Sequence, residues 1–317
     1  MIDGEKAPHN LIEAIRYFSD PDVCVAFVAS LRWANGPVCP TCDGTEHSYL
    51  KTRRLWKCKN CKRQFSVKVG TIFEDSPIGL DKWLAAIWLI ANSKNGISSH
   101  ELGRSIGLTQ KSAWFVLHRV RLAMQTGTFQ KLSGTVEVDE TFIGGLSKNM
   151  HKDARQKKIT GTGGHNKSVV MGLRQRGGDV RVKIIDERRT RSTMQQHVRD
   201  EVELGTSVYT DSHHSYTGLD TDFDHATVEH AEYYVNGRVH TNGIENFWSL
   251  LKRGLKGTYV QVAPEHLFRY LDERVFTYNK RDLNDFGRFV LVLGQTAGRR
   301  LTYDALTGKL LQGDGLS

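Results

Sequence analysis

Three carboxylates carry the strongest case for chemistry in this 317-residue sequence. Asp139 closes the run "TVEVD", Asp211 closes "SVYTD", and Glu245 sits in "HTNGIENFWSLLKRGLK", otherwise filled with aromatic, aliphatic and cationic residues. The first two runs are apolar β-formers ending in an acid. Each Asp is therefore expected at the C-terminal end of a strand, the rim where α/β proteins place ligands. Carboxylates brought close on adjacent strands repel one another unless a divalent cation neutralises them. Magnesium (or manganese) suits such a set, with hard oxygen ligands, few protein groups and phosphate oxygens completing the shell. Glu245 on a following helix would be a third acid, able to close a two-ion site. Two ions about 3.5–4 Å apart activate a water or a 3′-hydroxyl and stabilise the leaving oxygen of phosphoryl transfer. Lys252, seven residues on, shares the helix face of Glu245 and could hold a phosphate near the metals. Asn242 could orient a ligand or cap the helix. For His240, a substrate contact and a structural hydrogen bond stand as equal readings. Phe247 and Trp248 read as core. Glu137 shares the strand face of Asp139 and is the alternative acid, whereas Glu140 points the other way.

A second constellation is Cys39 and Cys42 in "CPTC" with Cys58 and Cys61 in "CKNC", separated by fifteen residues. Each pair can wrap a turn that aims two sulfurs at one tetrahedral ion, and the spacing is that of a four-thiolate zinc site. The intervening "DGTEHSYLKTRRLWK" reads as a β-hairpin, which makes this a zinc ribbon with one structural ion. Cys24, in "DVCVAFV", reads as a buried small hydrophobe.

The formal charge of +9 favours an anionic partner, nucleic acid first. No segment approaches the roughly 18 consecutive apolar residues of a membrane helix, and "MIDGEKAPHN" lacks the apolar stretch of a signal peptide. A cytosolic protein with reduced cysteines is expected. From Lys51 to Lys68 the chain carries Lys51, Arg53, Arg54, Lys57, Lys59, Lys62, Arg63 and Lys68 and no acid, a dense cationic surface suited to a phosphate backbone.

The elements that must position these groups follow from periodicity. Two short helices broken at "SDPD" precede the ribbon. "LDKWLAAIWLIANSKNG" is a helix with Trp83, Ile87, Ile90 and Ala91 on one stripe and an Asn-Gly stop at 95–96. A second helix capped at Ser98 or Ser99, a turn at Gly107 and a third helix capped by Thr109 make a helix-turn-helix. Ala113, Val116, Leu117 and Val120 form its inner face. Gln110, Lys111 and Ser112, with Trp114 beyond them, stand where a DNA-reading helix begins. "GTVEVDETFIGG" is a strand, and "SVVMGLRQRGGDVRVKIIDE" is two strands joined by a Gly-Gly turn. "STMQQHVRDEVELG" is a helix capped by Ser192, "SVYTD" a short buried strand, and "HATVEH" a candidate strand. The helices "TNGIENFWSLLKRGLKG" and "APEHLFRYLDERVFTYNKR" close the series. The order reads strand, strand, strand, helix, strand, helix, strand, helix, an α/β domain. The segment "LSKNMHKDARQKKITGTGGHNKS" reads as a cationic loop, and the tail from Leu283 as a helix and loop packed on the core.

The blocks "VEVDETFIGG", "VYTDSHHSY" and "HTNGIENFWSLLKRGLKG" resemble the catalytic blocks of bacterial insertion-sequence transposases with an RNase H-like DDE core. More narrowly, the chain resembles the subgroup with an N-terminal zinc ribbon and a Lys or Arg seven residues after the Glu. The resemblance implies an α+β multidomain chain: a helical segment over 1–36, a zinc ribbon over 37–70, a helix-turn-helix region over 78–127, an RNase H-like domain with a mixed sheet over 132–282, and a tail over 283–317. It implies Asp139, Asp211 and Glu245 as ligands of two magnesium ions, with Lys252 as the associated cation. It also implies recognition of terminal inverted repeats by the N-terminal region, homo-oligomeric assembly on double-stranded DNA, and residence in the bacterial cytoplasm with the nucleoid. Arg53, Arg54, Lys57, Lys62, Arg63, Gln110, Lys111 and Ser112 are the candidate DNA contacts. The expected activity is metal-dependent strand cleavage and joining of 3′-hydroxyls to target DNA without a covalent protein intermediate. The competing readings are a DNA-binding regulator with an inactive catalytic domain and an RNase H-like nuclease.

Overall fold

The computed structural model describes residues 7–125, 127, 130–144, 167–185, 190–228 and 239–307. The cationic loop expected between the first two strands of the α/β domain falls at 145–166, outside the described residues. The chain divides into two compact units, residues 1–125 together with 280–317, and residues 126–279.

In the first unit, α1 (Leu11–Tyr17) and α2 (Pro21–Arg32) are capped by the side chains of Asn10 and Asp20, which accept from the backbone N–H groups of Glu13 and Asp22. The break at "SDPD" thus places Asp20 as cap and Pro21 in the first turn, where its missing N–H costs nothing. Strands β1 (His47–Leu50), β2 (Leu55–Cys58) and β3 (Gln64–Phe65) form an antiparallel sheet, so the expected hairpin gains a third, two-residue strand. Helix α3 (Leu80–Asn92) is buried beyond the expected stripe, because Leu80, Leu84, Ala86 and Trp88 join Trp83, Ile87, Ile90 and Ala91 inside. It is the central helix of the unit. Gly96 turns the chain at φ +81 before α4 (Ser99–Ile106), whose cap is Ser98, and Thr109 caps α5 (Gln110–Met124). Ala113, Val116, Leu117 and Val120 are buried as expected, and Cys24 is fully enclosed, its thiol pushed up to about 12 by burial.

The second unit holds a five-stranded mixed sheet. Its strands are β4 (Thr135–Ile143), β5 (Ser168–Gln175), β6 (Val180–Ile185), β7 (Ser207–Asp211) and β8 (Asp224–Val228), in the spatial order β6-β5-β4-β7-β8. β4, β5 and β6 pair antiparallel, while β7 and β8 run parallel to β4, an arrangement consistent with an RNase H-like core. Helix α6 (Arg191–Glu201) lies between β6 and β7 in sequence, and its cap is Thr190 rather than Ser192. Thr190 accepts from the N–H of Thr193, which leaves Ser192 inside the first turn. No helix intervenes between β7 and β8. Two short 3-10 turns, His214–Tyr216 and Leu219–Thr221, make the crossing around Gly218 at φ +94. Helices α7 (Asn242–Gly254) and α8 (Leu267–Asn279) then follow β8 in succession.

The sheet has two apolar faces. Val136, Val138, Leu173 and Val208 pack with Met194 and Val198 of α6 and with Tyr216, Leu219 and Phe223 of the crossing. On the other face Val170 and Val180 pack with Ile244, Phe247, Trp248 and Leu251 of α7 and Leu267, Tyr270 and Leu271 of α8. The last helices, α9 (Asp285–Gly294) and α10 (Tyr303–Thr307), belong to the first unit. Phe289 of α9 lies 5.3 Å from the ring of Trp88 and stacks on Phe27 at 6.1 Å. The tail therefore packs on the N-terminal core.

Candidate active site

Asp139 and Asp211 owe their proximity to register. β4 and β7 pair from Thr135↔Ser207 to Glu137↔Tyr209, so each Asp lies two residues past the last pair on its own strand. Both then point to the same face. Asp139 is not at a strand end, as the sequence implies. β4 continues to Ile143 through its antiparallel pairing with β5, and only the β7 side stops at Glu137. The rim is thus created by the neighbour, not by the strand itself.

Glu140 completes this cluster. Its backbone faces the α6 side, as the two-residue period dictates, and its carboxylate accepts from the buried Tyr216 hydroxyl at 2.5 Å. Yet oxygens of Asp139, Glu140 and Asp211 all lie within 4.8 Å of one another. Glu140 thus points to the α6 side as expected, and one of its oxygens still comes this close to Asp139 and Asp211 at the strand rim. Burial, reinforced by the charges of Glu140, Asp211 and Glu245, raises Asp139 to about 6. Repulsion of that kind among hard oxygen donors fits a site for a divalent cation.

Glu245 stands outside the tight cluster. It is exposed on the first turn of α7 and accepts from the Thr241 hydroxyl at 2.8 Å. The face it occupies is set by Trp248, one turn on, whose indole N–H donates to Asp139 Oδ2 at 3.0 Å. Glu245 and the half-buried Lys252 lie about a turn to either side of Trp248 along the helix, and the Glu245 charge acts on Asp139.

Two devices hold α7 on the sheet. Gly172 of β5 pairs with Asp139, and a Cβ there would meet Trp248 Cζ2 at 2.5 Å and Ile244 Cδ1 at 2.9 Å. The indole therefore rests on bare backbone. Gly172→Ala is expected to cost about 1–3 kcal/mol by overpacking and to lower activity through the displaced Trp248. Urea unfolding of the variant, with no change in midpoint, would contradict that packing. The second device is Glu137, which is fully buried. Its Oε1 accepts from Arg176 Nε at 2.8 Å and faces Arg174 Nη1 at 3.4 Å, and its Oε2 accepts from the backbone N–H of Ile244 at 2.8 Å. A strand residue thus caps the first turn of α7. Arg176 also donates to the His240 carbonyl at 2.8 Å, which gives His240 a structural role. Asn242 is the first residue of α7, and Thr241, not Asn242, is the cap residue.

The ribbon cysteines converge as their spacing implies. Cys39 Sγ lies 3.6 Å from Cys61 Sγ, and Cys42 Sγ lies 3.6 Å from Cys58 Sγ. A zinc tetrahedron with bonds of about 2.3 Å has an edge of about 3.8 Å, so the four sulfurs fit a structural zinc ion. Each knuckle turns through a left-handed residue four positions after its first cysteine, Asp43 at φ 55 and Lys62 at φ 64. Around the ribbon, Arg53, Lys57, Lys62 and Arg63 are exposed, while Arg54 is half-buried and donates to Asp22 at 2.6 Å. Lys68 leaves the cationic surface, because its ammonium donates to the carbonyls of Ser76 and Ile78 at 3.2 and 2.6 Å. At the start of α5, Gln110 and Lys111 are exposed and Ser112 half-buried. Gln110 donates to the Ser99 hydroxyl at 2.9 Å, and Trp114 packs against His118 with ring centres 4.4 Å apart.

Sequence reasoning missed Glu140, the anchoring role of Glu137, and the polar end of Trp248. Only Trp248 left a signal, since three residues after Glu245 and four before Lys252 is the face both share.

Known proteins resemble the chain at both its ribbon and its mixed-sheet domain. The model of the ISXO2-like transposase domain matches residues 131–279, and that of the transposase zinc-ribbon domain matches residues 19–64. A Halobacterium salinarum protein, described as an uncharacterized protein in transposable element ISH50, is 30% identical over 256 residues, spanning 77% of this chain and 86% of its own. An uncharacterized transposase-like protein of Haemophilus influenzae is 31% identical over 93 residues, 29% of this chain and 75% of its own.

Proposed function

Since the chain belongs to the insertion-sequence transposases that join a zinc ribbon to an ISXO2-like transposase domain, we propose that it binds the terminal inverted repeats of its element, cuts their phosphodiester bonds and joins the 3′-hydroxyls to target DNA. The observation that carries this reading is the convergence of Asp139 and Asp211 beside the α7 face that presents Glu245 and Lys252. Magnesium or manganese held by Asp139, Asp211 and Glu245 would activate the attacking hydroxyl and stabilise the leaving oxygen. Lys252 would hold a phosphate, and Trp248 would fix the Asp139 carboxylate by its hydrogen bond. Glu140 stands within reach as a further oxygen donor.

The exposed ribbon cations Arg53, Lys57, Lys62 and Arg63, with Arg54, would contact the phosphate backbone, and Gln110, Lys111 and Ser112 would read the repeat. Two copies of the chain or more would assemble on two ends, with the nucleoid in the cytoplasm as the place of action. Among the described residues no helix is long and apolar enough to cross a membrane.

The test is incubation of the full chain with magnesium or manganese and duplex DNA from the borders of its element. Nicks at the repeat termini and joined products are expected. A preference for RNA–DNA hybrids over repeat-ended duplex would favour the RNase H-like nuclease, and tight binding without products would favour a regulator.

A further inference from the structure

The turn that follows α7 has a shape the proposed chemistry does not require. The helix runs directly into a single π turn, Leu255–Tyr259, and ends at Val260 with φ 60 and ψ −56. The Gln261 N–H donates to the Tyr259 carbonyl at 2.6 Å, bridging Val260 alone. That bond and those angles define the positive-φ form of the γ-turn, which is rare and strained. A β-branched residue is poorly suited to positive φ, and Val260 is 81% exposed, so no burial compensates for the strain.

The strain is imposed from beneath. Tyr259 packs edge-on against Tyr270 of α8 with ring centres 4.7 Å apart, and its hydroxyl donates to the buried Glu273. Leu255 is buried in the same core. These contacts anchor the residues before the valine, whose own side chain is outward, and strained residues kept in place by their surroundings concentrate at functional sites. The chain around the turn is cationic in sequence, the buried Glu273 beneath it being bonded to Tyr259. Between Glu245 and Glu265 the chain has no acid, and it carries Lys252, Arg253 and Lys256, the last two exposed.

We propose that Val260 is an apolar wedge that enters a base step of the transposon-end duplex held across the active site, with Arg253 and Lys256 on the flanking phosphates. Apolar side chains presented this way among cations unstack and kink duplex DNA. Val260 lies fifteen residues beyond Glu245 on a nearly continuous helical path. At about 1.5 Å per residue that is roughly 20 Å, or about six base-pair steps of 3.4 Å. The wedge would therefore act about half a turn from the scissile phosphate. This inference rests on the transposase reading above.

The test uses the full chain, an end duplex carrying 2-aminopurine at one step at a time within a turn of the cut site, and calcium in place of magnesium to hold the uncut complex. Wild type is expected to raise fluorescence several-fold at one or two adjacent steps. Val260→Gly and Val260→Ser should return it to the level of free duplex while end affinity changes less than about threefold. In magnesium both variants should cleave the paired end more slowly than wild type, and a mismatch at the same step should restore their cleavage, because an unpaired step is already open. Val260→Gly should also melt at the same temperature as wild type or higher, since glycine accepts positive φ without strain; a lower melting temperature would mark a packing role. Saturated binding with no unstacking at any step, or equal unstacking by wild type and variants, overturns the wedge. So does unstacking seen only with a target duplex or only on association of two chains. Failure to bind the end duplex at all would overturn the transposase reading itself, and the wedge with it.

Discussion

Glu245→Gln is expected to reduce end cleavage and strand transfer at least about 10³-fold, a loss on the order of 4 kcal/mol in transition-state stabilisation. End affinity and melting temperature should stay near those of wild type, because Glu245 is exposed and an amide oxygen can accept the Thr241 hydroxyl as well as a carboxylate does. The informative comparison is Glu137→Ala. Glu137 faces α7 as Asp139 does, but its oxygens are taken up by Arg174, Arg176 and the Ile244 N–H. Removing it leaves two guanidinium groups without their buried partner. A fully buried pair broken this way costs about 3–5 kcal/mol; the arginines keep some exposure to water, so about 2–4 kcal/mol is expected here. The two variants should therefore fail differently, one folded and inactive, the other destabilised. Equal activity of wild type and Glu245→Gln, measured side by side on the same labelled duplex, would remove Glu245 from the metal site. Glu140 would then be the third acid to test, since it already lies within 4.8 Å of Asp139 and Asp211.

Stripping the zinc is expected to unfold the ribbon while the sheet of the second unit persists. Strands of four, four and two residues cannot sustain a sheet alone. The apolar content of the ribbon is small, with Trp56 against Trp33 at 5.3 Å, Tyr49 at 5.1 Å and Phe65 at 6.0 Å. A four-thiolate zinc site contributes about 10–16 kcal/mol in small domains, far more than that cluster can replace. The near-UV circular dichroism of Trp56 should collapse on chelation or in Cys58→Ser, with about one zinc released per chain. End affinity should fall by about 10²-fold or more if the ribbon cations contact DNA. A full aromatic signal in zinc-free protein would show that the sulfurs hold no structural ion. Lost zinc with unchanged affinity would separate the ribbon from DNA and point to a protein partner instead.

Several features were legible because their signals are local. Cys39, Cys42, Cys58 and Cys61 announce themselves by spacing alone, since each pair needs only one tight turn. Ser98 and Thr109 cap helices through bonds to residues three positions away, so the starts of α4 and α5 follow from a few letters; Asn10 and Asp20 cap α1 and α2 in the same local way, although neither is among the caps expected from sequence. Asp139, Asp211 and Glu245 were visible as acids at the ends of apolar or basic runs. The errors arose where one neighbour competes with another. Asp139 was read as terminal because its acidity breaks the apolar run, yet pairing with β5 carries the strand on to Ile143. The cap of α6 moved to Thr190 because only one of the nearby hydroxyls can sit at the helix boundary.

By itself, then, the amino-acid sequence determined which atoms are available: four thiolates for zinc, hard carboxylates for a divalent ion, cations for phosphate, and the lengths of the elements that carry them. Tertiary structure decided which of those atoms meet. The order β6-β5-β4-β7-β8 and the register Glu137↔Tyr209 bring Asp139 beside Asp211 across more than seventy residues of chain. The bond from Trp248 to Asp139 spans 109 residues, and that from Ile244 to Glu137 spans 107. Glu140 meets the cluster across the strand rim, and Tyr259, the neighbour of the exposed Val260, is anchored by α8. Such contacts form when the sheet and its covering helices close together, and their energy depends on partners that no local window of sequence contains.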